Sequence, residues 1–201
     1  MYALNGAWAP INLKRGMNMK VKDIVLLAAK TLGLQEGISA YFDGTSTEME
    51  HQAEQLLACF HLAESSLAMD YLPLRAEDEV YSTTGRVEFS ELTYSPVRIL
   101  GVTDTSGNPQ AYTLYSTYLK TSAGVVLISY TYTPKLKTAE EECDFDLSVA
   151  DSVLVYGTLA EYCLGEGLIE EAAAWDKKRK DSMESIYHTA KCQRLSSRRW
   201  V

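Results

Sequence analysis

The chain has 201 residues, of which 46% are hydrophobic and 23% charged, and its formal charge is −8. That size suits one domain, or one domain carrying an insertion, with an ordinary globular composition. The negative charge argues against a general nucleic-acid binder, which needs a basic surface, and no apolar run approaches the ~18 residues of a membrane span.

Residues 1–18 open without a secretory pattern, because Met1 to Pro10 lack a basic region followed by an apolar core. Met17 and Met19 stand just before a strong helical pattern, and Lys14-Arg15-Gly16 fits a purine-rich coding stretch resembling a bacterial ribosome-binding site. Two expectations stay open here. Either translation starts at Met17 or Met19 and the leader is an artefact, or residues 1–18 form an arm that wraps a neighbouring subunit.

From residue 19 to 74 the pattern is helical. Val21, Ile24, Val25, Ala28 and Leu32 form one apolar stripe, which Gly33 terminates. A short helical turn is expected from Ile38 to Phe42, then a turn at Asp43-Gly44. A capping box follows, from Thr45 with Glu48 or Thr47 with Glu50. The next helix carries Met49, Ala53, Leu56, Leu57, Phe60 and Leu67 and stops before Pro73.

From 75 to 139 the period changes to two. Val80-Tyr81, Val87 to Phe89, Val97 to Gly101, Tyr112 to Leu114 and Val125 to Ser129 alternate or are β-branched, with turns at Thr105 to Pro109 and Ser122 to Gly124. This predicts an antiparallel meander of four to six short strands. The run Glu140-Glu141-Glu142-Cys143-Asp144 lacks calcium-loop spacing and reads as a solvated charge run.

Residues 146–192 read as a helical hairpin. Val149, Val153, Tyr156, Gly157, Ala160 and Leu164 recur at three- and four-residue steps, with Ser148 and Asp151 as an N-terminal cap. Gly165 and Gly167 can end that helix in the left-handed conformation. A second helix carries Glu166, Glu170 and Glu171 early and Lys177 to Lys180 later, the order that suits the helix dipole. Small residues Gly157, Ala160, Ala172 and Ala173 permit close backbone approach, with Tyr162 and Trp175 on the flank. The expected fold is therefore α+β: an antiparallel four-helix bundle, 19–74 and 146–192, interrupted by an inserted antiparallel β-sheet.

No catalytic or metal signature has the right spacing. His51 and His61 lie about 80° apart around one helix, and His188 sits alone near the basic end. Ser65-Ser66 lacks a glycine elbow, and Gly165-Glu166-Gly167 lacks the strand, glycine and lysine of a phosphate loop. Cys59, Cys143, Cys163 and Cys192 are scattered, as expected of reduced thiols in a cytosolic protein. Two features look like surfaces instead. Tyr112, Tyr115, Tyr118, Tyr130 and Tyr132 fall on strands; Tyr130 and Tyr132 share a face that suits a sugar platform, a protein interface or a half-buried sheet face. After Glu184 no acid follows, while Lys191, Arg194, Arg198 and Arg199 lead to Trp200 in a basic tail over 193–201. The tail is either disordered or ordered by a partner with an acidic groove and a tryptophan pocket.

The helical frame, the β insertion and the segment Ala160-Glu161-Tyr162-x-Leu164-x-Glu166-Gly167-x-x-Glu170-x-Ala172-x-x-Trp175 together resemble tailed-bacteriophage head-to-tail adaptors, the connector or head-completion proteins. The resemblance spans Lys20 to Lys191. The tyrosine-rich insertion is longer than in the shorter members and is similar to that of the larger, tail-tubular type. The resemblance implies a non-enzymatic virion protein, made in the bacterial cytoplasm, without cofactor or metal. It implies a homo-oligomeric ring, usually twelvefold, beneath the portal protein, completing the head and docking the tail or a stopper protein. DNA passes through the lumen without specific binding, and no membrane is involved. On this chain it implies that the bundle joins the subunits and that Lys191, Arg194, Arg198, Arg199 and Trp200 dock on the portal. The sheet, with Tyr112, Tyr115, Tyr130 and Tyr132, would face the tail or a neighbour. The alternative from another class is a small intracellular binding module whose tyrosine-rich sheet engages a peptide or sugar.

Overall fold

A computed structural model describes residues 19–145 and 151–192, with the backbone alone over 186–192. The fold is α+β, with five α-helices and two small antiparallel sheets among the described residues. Helices α1 (Val21–Leu32), α2 (Gln35–Phe42) and α3 (Glu50–Ser66) come first, and α3 runs on into a wide π-type turn, Leu67–Tyr71. Six strands follow: β1 (Leu74–Ser82), β2 (Arg86–Glu88), β3 (Pro96–Asp104), β4 (Thr113–Leu114), β5 (Tyr118–Lys120) and β6 (Gly124–Tyr132). The hairpin α4 (Asp151–Gly165) and α5 (Ile169–Cys192) completes the described chain.

The α1 stripe is buried as the period predicts, through Val21, Ile24, Val25, Ala28 and also Ala29. Gly33 ends α1 at φ 75°, where a side chain would be strained, and Leu34 N–H reaches back to the Ala29 carbonyl. The expected capping box before α3 is absent. Met49 occupies the cap without a side-chain bond, and the Thr45 hydroxyl instead donates to Ala40, closing the end of α2. The helix reached its boundary through tertiary packing of Ala53, Leu56, Phe60 and Ala63 rather than through a cap.

The strands form not one meander but two three-stranded sheets, ordered β1-β6-β3 and β2-β5-β4. The last strand in sequence is the centre of the larger sheet, because β6 pairs along its whole length with β1 and also with β3. Its inward residues Val126, Ile128 and Tyr130 meet Ile99 and Val102 of β3, and Val87 and Leu119 of the small sheet close the other side. Register shifts at Val97 and Leu100 turn those two side chains outward and keep Ile99 and Val102 facing in. Such bulges also blunt an edge strand against further pairing.

Helices and sheets keep separate cores. The two meet at the first rung of the large sheet, where Leu74 packs on the helical core and its cross-strand partner Tyr132 packs in the sheet core. The chain returning from β6 is fixed there by a buried ion cluster. Glu64 of α3 is fully buried, and its Oε1 accepts from Lys137 Nζ at 2.7 Å and from the Asp144 N–H at 3.0 Å. Lys137 also pairs with Asp144 at 2.9 Å. Burial works against the Lys137 charge, and the two carboxylates outweigh it, so its pKa lies above the ordinary lysine value. Just beyond, the acidic run keeps its glutamate side chains exposed, as expected of a solvated charge run, while its backbone serves as a strap. Carbonyls of Ala139 and Glu141 accept from the N–H groups of Lys22 and Val21, satisfying donors that the start of α1 leaves open. Lys20 pairs with Glu140 at 2.8 Å on the outside.

Removing one partner of a buried pair strands the other charge, at a cost of about 3–5 kcal/mol. Lys137→Met is therefore expected to lower unfolding free energy by about that amount, measured by urea denaturation. Lys137→Met combined with Glu64→Leu is expected to recover part of the loss.

Candidate functional site

The hairpin shows why α4 contains so many small residues. Val153, Leu154, Val155, Gly157, Thr158, Leu159, Ala160 and Cys163 are all buried, so α4 is enclosed on nearly every side rather than along one stripe. A Cβ on Gly157 would lie 2.9 Å from the Ala63 Cβ of α3 and 3.3 Å from the Arg179 Cδ of α5, so glycine lets three helices converge there. Tyr156 stacks on Trp175 at 5.7 Å between ring centroids, and Lys178 caps that indole at 3.9 Å. Ala160 and Ala172 are buried, in line with the expected packing. Leu164 is a correction: it is 58% exposed, and Cys163 takes the buried place. With helices on several flanks, the apolar period extended one residue past the packed region.

The turn is a Schellman cap. Leu168 N–H donates to Cys163 and Gly167 N–H to Leu164, and Gly167 alone takes the left-handed conformation, at φ 76°. Gly165 does not need it. Glu166 belongs to this turn rather than to α5 and accepts from Gln55 Nε2 of α3 at 2.7 Å. Among the described residues α4 has 15 residues and α5 has 24. Of the expected portal-docking residues, Lys191 lies on its last turn, its side chain outside the description; Arg194, Arg198, Arg199 and Trp200 lie outside the described residues. Ser148 of the expected cap does so as well, and Asp151 is the first described residue of α4.

The sheet tyrosines separate into two groups. Tyr112 and Tyr115 are exposed beside the β4–β5 hairpin, and Tyr115 stacks on Tyr118 at 4.4 Å while the Arg86 guanidinium covers the Tyr118 ring at 3.8 Å. Tyr130 is a correction. It is 0% exposed and is a core residue, so it cannot serve as a surface platform. Its hydroxyl donates to Asp78 at 2.7 Å and accepts from the Tyr94 N–H at 3.1 Å. Tyr132 does share that face, half-buried and stacked on Tyr94 at 4.1 Å. Alternation placed both tyrosines on one side correctly, but that side faces the second sheet.

Burial pushes the Cys59 and Cys143 thiols up to about 11, which keeps them protonated, and it raises Cys163 too. His61 Nε2–H donates to the Lys137 carbonyl at 3.0 Å, a structural role. Among the described residues no group of three or more His, Cys, Asp or Glu side chains is placed to hold a metal ion. Sequence reasoning missed Glu64, Lys137 and Asp144. Glu64 left a readable trace, since it stands between Phe60, Ala63 and Leu67 on the buried face of α3.

No protein-family model matches the sequence, and no curated protein matches it.

Gly157→Val is expected to destabilise the protein by about 2 kcal/mol or more in chemical denaturation, because overpacking at a three-helix contact outweighs any gain in helix propensity. Tyr130→Phe is expected to cost about 1–3 kcal/mol at pH 7 by orphaning the Tyr94 N–H and one bond to Asp78. Burial first, and the bond to Asp78 second, push the Tyr130 hydroxyl up to about 12. A raised folded pKa gives stability that is complete below the unfolded value near 10 and is lost as pH climbs towards about 12. That alkaline loss should be smaller in Tyr130→Phe when both proteins are titrated at fixed urea.

Proposed function

We propose that this chain is a non-enzymatic head-to-tail adaptor of a tailed bacteriophage. It would assemble as a ring, twelvefold in the usual arrangement, under the portal protein, complete the head and present a docking face to the tail or a stopper protein. In this reading α1, α3, α4 and α5 are the four-helix bundle of the family, and the two sheets are its insertion. The site of action is the head-tail junction of the virion.

The observation that carries the reading is the form of the α4–α5 hairpin. The hairpin closes on Gly157, Ala160, Ala172 and Trp175, the resemblance segment from Ala160 to Trp175 spans its turn, and α5 runs for 24 residues, about 35 Å. A rigid helix thus leads directly into the cationic residues from Lys191 to Trp200. The sheets, with their own core, stand apart from the helices and offer Tyr112 and Tyr115 to a second partner. Two separate surfaces on one small chain suit a protein that joins two others. Charge supports it as well. No lysine or arginine occurs between Lys30 and Arg75 or between Lys137 and Lys177, so a lumen lined by these helices repels DNA phosphates and lets the genome slide.

The second reading, a binding module for a peptide or sugar, retains exposed Tyr112 and Tyr115 and loses Tyr130, which is buried. The two diverge in one experiment. Deleting residues 194–201 is expected to abolish co-sedimentation with portal rings while circular dichroism stays unchanged. Normal attachment of the truncated protein would remove the tail from the proposal. Loss of peptide or glycan binding in Tyr115→Ala, with portal attachment intact, would favour the module.

A further inference from the structure

The turn between α4 and α5 exposes three aliphatic side chains within six residues. Leu164 is 58%, Leu168 46% and Ile169 69% exposed. They form an apolar knob on a helical protein whose other large aliphatic side chains in α1, α4 and α5 are mostly covered. Its rim is acidic. Glu166, Glu170 and Glu171 are exposed around it, and α3, tied to the knob by Gln55–Glu166, adds exposed Glu54. The nearest lysine or arginine along α5 is Lys177, two turns away, and neither α3 nor α4 carries one; His51, exposed one turn before Gln55, is the one titratable base on that side of α3. A water-facing knob with a one-signed rim is a docking surface for a ligand of complementary form, cationic with a large apolar anchor.

The chain contains such a segment in residues 193–201, where Arg194, Leu195, Arg198, Arg199 and Trp200 stand without an acid. Arginine and tryptophan are the residue types that anchor interfaces most strongly. Geometry decides which copy supplies it. Ile169 and Cys192 are the two ends of α5, about 35 Å apart at 1.5 Å per residue. Trp200 lies eight residues beyond Cys192, and eight extended residues span at most about 29 Å. The tail therefore cannot return to the knob of its own chain.

We infer that the α4–α5 knob receives the basic, tryptophan-bearing segment 193–201 of a second copy. The contact is heterologous, knob to tail, so repetition propagates it from copy to copy and closes a ring only if the rotation closes. This deepens the adaptor reading by naming a contact between copies, and rests on it only for ring closure. One tail cannot occupy a portal and a neighbour's knob together, so portal docking and this self-association compete.

The test needs no portal, and its failure leaves portal binding untouched. Full-length protein, followed by sedimentation velocity over a concentration series, is expected to self-associate, less strongly as salt rises. Ile169→Lys places a charge on an exposed position, and Trp200→Ala with Arg198→Ala and Arg199→Ala removes the anchor. Each is expected to weaken association at least ~30-fold, with unchanged circular dichroism as the control on folding. The decisive arm mixes the two variants. One retains a tail and the other a knob, so together they form a 1:1 pair and nothing larger. A full-length protein that stays monomeric throughout, variants that associate like the parent, or a mixture that fails to pair would each overturn the proposal. In the first case the knob is left for a different partner.

Discussion

The polar junction between the helical core and the chain returning from the sheets depends on the buried carboxylate of Glu64. An unpaired charge at that depth would cost several kcal/mol, and Lys137 and the Asp144 amide meet it from the strand side of the molecule. One carboxylate oxygen therefore ties α3 to the segment that leaves β6. The same segment continues as the strap whose carbonyls close the start of α1. Glu64 Oε2 has no hydrogen-bond partner among the described residues, so Oε1 carries the connection. Two cores that share no residue are thus joined by a polar junction and by the Leu74–Tyr132 rung. That construction allows the sheets to present a surface of their own without disturbing the packing of α4.

Legibility of the fold followed the physics of each element. The helices α1 and α3 face one core on one side, so their apolar period carried their burial, apart from Glu64. α4 is surrounded, and a helix apolar on most faces gives no information on which face is packed. The period therefore points Leu164 inwards, although it lies past the packed region and is exposed. In the sheets, β6 reads Val125, Val126, Leu127 and Ile128, apolar on both faces, so alternation could assign Tyr130 and Tyr132 to one side but not say which side is the core. Strand positions were local information and largely readable. The pairing of β1 with β6 spans some forty residues, and nothing local encodes it. The α3 cap failed for a related reason, since Thr45 had a closer acceptor in Ala40.

The candidate surfaces share an electrostatic logic. Lysine and arginine are missing from α3 and α4, while α5 and the residues after it carry most of those in the helical part of the chain. An apolar knob with an acidic rim at one end of α5 and a cationic, tryptophan-bearing sequence after its other end make up the charge pattern that the proposed contacts use. In the proposed reading the cationic segment meets either a portal or a neighbour's knob, and the sheets are left for the tail. The interior thiols and the structural histidine take no part in this.

Cryo-electron microscopy of portal rings incubated with the full-length protein tests the adaptor reading most directly. The account predicts a ring of extra density beneath the portal, with the C-terminal end of α5 against the portal and the two sheets on the side away from it. Bare portals at saturating protein, or density with the sheets against the portal and α5 pointing away, would contradict it.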